Sequence, residues 1–171
     1  MIVSHAHKFI FLKTKKTAGT SIELALSELC GPDDVITPLA KAWRGYFKFA
    51  FDRNPWDRQV SWYHHRYRRK DTPPPFAEFM KSDKRARIDN YDIYAIDGDL
   101  AVDFVGRFES LEQDLKHALD QVGLSLDKPL PRAKAMFRRS SAPYRDYYDG
   151  DTRAMVGDWY AREIALLAYA F

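Results

Sequence analysis

The clearest pattern along the chain is an alternation of short apolar runs with longer stretches of helical spacing. Residues 8–12, KFIFL, form an apolar run bounded by polar residues, which predicts a strand buried on both faces. From there the apolar positions fall at Ile22, Ala25, Leu26, Leu29 and Cys30, the spacing of a helix with one inward face, and GPDD at 31–34 stops it. YFKFAF at 46–51 predicts a second strand, and Asn54-Pro55 opens a helix with proline in its first turn. Along that helix Trp56, Val60, Tyr63 and Tyr67 line one face, while Arg58, Ser61 and His65 share another.

DTPPP at 71–75 is a breaker ahead of a short helical candidate, FAEFMKS. AVDFVGRF at 101–108 predicts a third strand. It feeds SLEQDLKHALDQVG, where Ser110 and Gln113 have capping-box spacing and Leu111, Leu115, Ala118 and Val122 form the inward stripe. DKPLPRAKAMFRRSSAPY carries mixed signals and is assigned to loop. A last helix is expected from about Asp151 to the end, with Val156, Trp159, Tyr160, Ile164 and Leu167 inward. Neither a repeat nor a linker interrupts the chain, so the expectation is one domain over 1–171. Its fold class is α/β with a largely parallel sheet.

Composition narrows this picture. At 171 residues the chain is long enough to bury about 70% of its unfolded surface. A hydrophobic content of 46% with 15% aromatics argues against disorder. FIFL and IALLAYAF, the longest apolar runs, fall well short of the ~18 residues that read as a membrane span. The opening MIVSHAHK has no signal-peptide apolar region, and the single Cys30 excludes an internal disulfide and fits a reducing compartment. The expectation is a soluble cytoplasmic protein.

Net charge is only +3, yet the cations cluster: Lys13, Lys15 and Lys16; then Arg53, Arg58, Arg66, Arg68, Arg69 and Lys70; then Arg132, Lys134, Arg138 and Arg139. Position gives the first group its interest. In parallel α/β sheets ligands bind outside the carboxyl ends of the strands, and KTKKTAGTS sits at such an end. Gly19 would let the backbone approach a ligand, and the helix start would offer N–H groups and a partial positive dipole. Thr17, Thr20 and Ser21 would add hydroxyls and Lys16 a full charge, making a site for phosphate. The alternative is a surface lysine cluster ahead of an N-capped helix. A nucleotide-hydrolysing loop would read G-x-x-x-x-G-K-[ST]; here the lysine precedes the glycine, which demotes an ATPase, a GTPase or a kinase. The second strand repeats the geometry, with Arg53 just past its end and Ser61 two turns into the next helix. Arg53 alone could equally be a structural ion pair with Asp52 or Asp57. Two anion sites at strand ends suggest a ligand with two separated phosphates.

FLKTKKTAGTSIE resembles the 5′-phosphosulfate-binding loop of sulfotransferases, and FKFAFDRNPWDRQVSWY resembles their 3′-phosphate-binding strand–helix motif. VDFVGRFESLEQDL and the segment from YRDYYDGD to the end are similar to the bacterial branch of the carbohydrate-type family. The resemblance runs from Lys8 to Phe171 and implies a three-layer, P-loop-like sulfotransferase fold, its central sheet flanked by helices. It implies transfer of a sulfuryl group from 3′-phosphoadenosine 5′-phosphosulfate (PAPS) to a hydroxyl or amine of a sugar, lipid or small molecule. The product nucleotide would be adenosine 3′,5′-bisphosphate (PAP), with no metal. On the same analogy Lys16 is the catalytic lysine, and the backbone of Thr17, Ala18, Gly19, Thr20 and Ser21 cradles the 5′-phosphate. Arg53 and Ser61 hold the 3′-phosphate, and Arg138 closes over the nucleotide.

The match thins at the general base, for which His64, His65, Asp92 and Glu109 are all weak candidates and none is assigned. Adjacent histidines point about 100° apart on a helix, so His64 and His65 make no ready chelating pair. The short chain suggests an acceptor cleft left open or completed by a second subunit in a homo-oligomer. A non-catalytic module that binds PAP or PAPS, or a nucleic-acid binder using HHRYRRK, are the rival functions.

Overall fold

The structure is a computed structural model that describes residues 1–30, 45–82, 86–126, 128–131 and 142–171. It forms two compact units, Met1–Asp52 with Asn90–Ala133, and Arg53–Asp89 with Lys134–Phe171.

The described part of the first unit contains strands β1 (Ile2–Ser4), β2 (Phe9–Leu12), β3 (Phe47–Asp52), β4 (Ala95–Ile96), β5 (Asp99–Leu100) and β6 (Phe104–Arg107). Four make one sheet in the order β1-β2-β3-β6. Strands β2, β3 and β6 run parallel, with Phe11 opposite Phe49 and Phe49 opposite Phe104. This is the mostly parallel α/β sheet that the sequence pattern predicts. Strand β1 is absent from the pattern-based expectation: it lies antiparallel on β2, and His5 and His7 sit in the turn between the two strands.

Strand periodicity divides the core. Phe9, Phe11, Phe49 and Phe51 alternate onto one face and pack with Ile22 and Leu26 of helix α1 (Gly19–Leu29). The same cluster takes Leu115, Ala118 and Leu119 of a later helix, Leu111–Asp120. Ile10 and Ala50, on the opposite face, are also fully buried. Burial on both faces explains why FIFL shows no polar alternation. Each fully buried Phe or Leu contributes roughly 1.5–3 kcal/mol, so this cluster is the main stabiliser of the unit.

The capping box expected from Ser110 and Gln113 does not form. Ser110 donates to Asp114 Oδ2 at 3.0 Å, and the Arg107 N–H donates to the same oxygen at 2.6 Å. The carboxylate one turn in thus ties the strand end to the helix start. Ala95–Leu100 is a two-residue hairpin in which Asp97 (φ 52°) and Gly98 (φ 89°) take the left-handed backbone such a turn requires.

The described part of the second unit is helical. Its first helix, Pro55–Arg66, begins as predicted: Asn54 accepts the Trp56 N–H at 3.1 Å and proline opens the first turn. Trp56, Val60 and Tyr63 face a core shared with Phe76, Phe79, Met80, Val156 and Tyr160. The single terminal helix expected from Asp151 is two helices, Gly150–Trp159 and Ala161–Leu167, broken at Tyr160 (φ −122°, ψ 28°). The break has a packing reason. It buries the Tyr160 ring beneath the Arg58 guanidinium, 4.4 Å from the ring centre, and lets its hydroxyl accept the Ile88 N–H at 2.9 Å. Burial pushes the Tyr160 hydroxyl up to about 12, against the opposing pull of Arg58. One turn later Glu163 meets Arg58 at 3.2 Å, with both side chains buried.

Candidate functional site

Strand β2 ends at Leu12, and helix α1 begins seven residues later. Between them the backbone takes left-handed values at two non-glycine residues, Lys16 (φ 64°) and Ala18 (φ 56°). Each such residue costs about 1–2 kcal/mol, so the turn persists only because its surroundings hold it. Three interactions do so. The Thr14 hydroxyl donates to the Phe51 carbonyl of β3. The Thr17 hydroxyl lies 2.7 Å from that of Thr14. Asn90 brackets Lys15, accepting its N–H at 2.9 Å and donating to its carbonyl at 3.0 Å.

Ala18 occupies the N-cap of α1, where a Ser, Thr, Asp or Asn would ordinarily accept a first-turn N–H; alanine brings no such acceptor. A helix start without a side-chain cap, preceded by alternating left-handed backbone, is the concave geometry in which successive N–H groups meet an anion. Lys16 and Thr20 are half-buried here, while Thr17 and Ser21 are buried. The hydroxyl of Thr17, expected as a donor to a ligand, is engaged with Thr14 inside the loop. What Thr17 offers is backbone.

Gly19 also has a packing reason within the chain. A Cβ there would meet Lys13 Cγ at 2.7 Å, so the glycine makes room for a lysine stem from its own chain. Lys13 in turn pairs with Glu23 on α1 at the exposed side of the loop.

In the second unit, Arg53 precedes the helix Pro55–Arg66 and folds back onto it. Its Nε and one terminal nitrogen donate to Asp57 Oδ2, at 3.0 and 2.6 Å. The ion-pair alternative for Arg53 is therefore realised with Asp57. Asp57 and Ser61 are four residues apart and share a helix face, so the pair lays Arg53 on the side that carries the half-buried Ser61. Arg58, expected beside Ser61, turns inward to Glu163 instead. Arg138 lies outside the described residues, as do Arg132, Lys134 and Arg139.

Among the weak base candidates, His64 Nε2 is 2.9 Å from the Tyr147 hydroxyl and His65 stacks on Trp62 at 5.6 Å. Asp92 and Glu109 are exposed. Among the described residues no three His, Cys, Asp or Glu side chains converge as metal ligands, and no helix is long and apolar enough to cross a membrane.

Sequence reasoning missed Asn90 and Tyr94, and named Asp52 only as a possible partner of Arg53. Asp52 is completely buried at the end of β3, accepting from the Tyr94 hydroxyl at 2.7 Å and from Asn90 Nδ2 at 3.3 Å. A buried carboxylate at a strand end was visible as FAFD, but its partners, 38 and 42 residues away, were not.

Comparison with known proteins identifies the family. The model of the sulfotransferase family matches residues 1–170. An uncharacterized protein of Archaeoglobus fulgidus is 36% identical over 89 residues, which cover 49% of this chain and 73% of that protein. No solved structure matches the chain. With nearly the whole length matched, the chain belongs to the sulfotransferase family.

Proposed function

We propose that the protein transfers a sulfuryl group from PAPS to the hydroxyl or amine of a carbohydrate or other small acceptor. The observation that carries this reading is the family match over residues 1–170. The loop's own geometry supports the residue roles. In this reading the backbone of Thr17, Ala18, Gly19, Thr20 and Ser21 receives the 5′-phosphate, and Lys16 neutralises charge at the bridging oxygen. Arg53, oriented by Asp57, and Ser61 take the 3′-phosphate that distinguishes this donor from ATP. Arg138 is carried from sequence resemblance alone.

The step is an in-line displacement. The acceptor oxygen or nitrogen forms a bond to sulfur while the bond from sulfur to the 5′-phosphate oxygen breaks. The electron pair leaves on adenosine 3′,5′-bisphosphate and the acceptor proton passes to a base or to solvent. Charge grows on the leaving phosphate, and a positioned ammonium and fixed N–H dipoles stabilise it most in the transition state. Transfer of labelled sulfate from PAPS to a panel of sugars, phenols and lipids tests the reading, with nucleotide affinity measured alongside. Transfer to any member supports it. Tight binding of the nucleotide with transfer to none would make the protein a non-catalytic nucleotide-binding module.

A further inference from the structure

Asn90 has no place in the residue roles above, yet it is completely buried and its side-chain amide is spent on the residue that precedes Lys16. It accepts the Lys15 N–H and donates to the Lys15 carbonyl, at 2.9 and 3.0 Å. Its donor group also reaches Asp52 Oδ1 at 3.3 Å, which fixes the orientation of the amide. Asp52 is held in turn by the Tyr94 hydroxyl. The chain of contacts runs Tyr94, Asp52, Asn90, Lys15, and then covalently to Lys16.

Its geometric consequence is specific. The Lys15 carbonyl and the Lys16 N–H belong to one planar trans peptide and point in opposite directions. Binding that carbonyl to Asn90 turns the Lys16 N–H away from Asn90 and sets the plane from which Lys16 enters its left-handed backbone (φ 64°). The two hydrogen bonds offset the cost of that left-handed conformation. The chemistry needs an amide. A carboxylate would set an acceptor against both the Lys15 carbonyl and Asp52, and an apolar residue would leave buried polar groups without it.

We infer that Asn90, supported by Asp52 and Tyr94, is a positioning residue that shapes the Lys15–Lys16 backbone to receive the 5′-phosphate end of the nucleotide. The inference rests on the donor reading above. It is tested by titrating wild type, Asn90→Ala and Tyr94→Phe with adenosine 3′-monophosphate and with adenosine 3′,5′-bisphosphate, with melting curves of each protein. The ratio of the two affinities isolates the 5′-phosphate.

In wild type the ratio is at least about 10, a difference of roughly 1.4 kcal/mol. In Asn90→Ala it falls to about 2 or less while affinity for the 3′-monophosphate stays within about twofold, and Tyr94→Phe lies between. A merely structural role would move both ligands together. A wild-type ratio near one would sink the donor reading and this inference with it. A wild-type ratio retained in both variants would sink the inference alone. Should Asn90→Ala fail to fold, Tyr94→Phe decides: a selective loss of the 5′ increment supports the role, and a full increment overturns it.

Discussion

Lys16 holds a backbone conformation that lysine adopts only at a cost, in a turn whose neighbours are all tied down. Strain of that kind is retained where a side chain or N–H group must be aimed. If the lysine is there to meet charge on the leaving phosphate, truncating it removes transition-state stabilisation. Lys16→Ala is expected to keep the fold and to lower the transfer rate at least about 100-fold, by analogy with the loss of an oxyanion-hole donor. Equal turnover in the two proteins would remove Lys16 from the chemistry. Gly19 makes a separate prediction. Its Cβ would sit 2.7 Å from Lys13 Cγ, so Gly19→Ala should destabilise by about 1–3 kcal/mol. Adding Lys13→Ala should restore most of that loss in a denaturant titration. Failure of the second change to restore stability would mean that the glycine is needed for something other than the lysine stem.

At the scale of elements, legibility followed the range of the interaction that shaped each one. FIFL and FKFAF announced strands because burial on both faces leaves an uninterrupted apolar run, and NP announced a helix start because proline fits its first turn. The capping box at Ser110 failed because a different carboxylate, Asp114, took the hydroxyl and a backbone N–H together. The terminal helix broke at Tyr160 because Arg58, 105 residues from Glu163, required a partner that a continuous apolar stripe does not reveal. The break leaves a signature at high pH. The Tyr160 pKa is raised from 10.0 to about 12 by burial. The folded state therefore keeps the proton longer than the unfolded chain does. Its stabilising effect is complete below about pH 10 and is lost as pH rises through about 12. Chemical denaturation between these limits should show stability falling with pH, and Tyr160→Phe should flatten part of that slope. The same slope in both proteins would assign the alkaline loss elsewhere, the buried Tyr63 and the partly buried Tyr148 also having raised pKa values.

For the molecule as a whole, the α/β class and mostly parallel sheet could be read from the alternation of runs and stripes, and the family from two motifs at strand ends. The supports of those motifs could not. Asn90 lies 75 residues from Lys15, and nothing in its local sequence marks it as a clamp. Asp57 lies close to Arg53, but only the folded helix shows that their pairing turns the arginine to the Ser61 face.

The proposal requires one nucleotide to be recognised by both of its phosphate ends, and calorimetry of wild type and Arg53→Ala with adenosine 3′,5′-bisphosphate and with AMP reads that requirement directly. Wild type should bind the bisphosphate at least about tenfold more tightly than AMP, and Arg53→Ala should abolish most of the difference. Equal affinity of wild type for the two nucleotides would contradict the assigned donor.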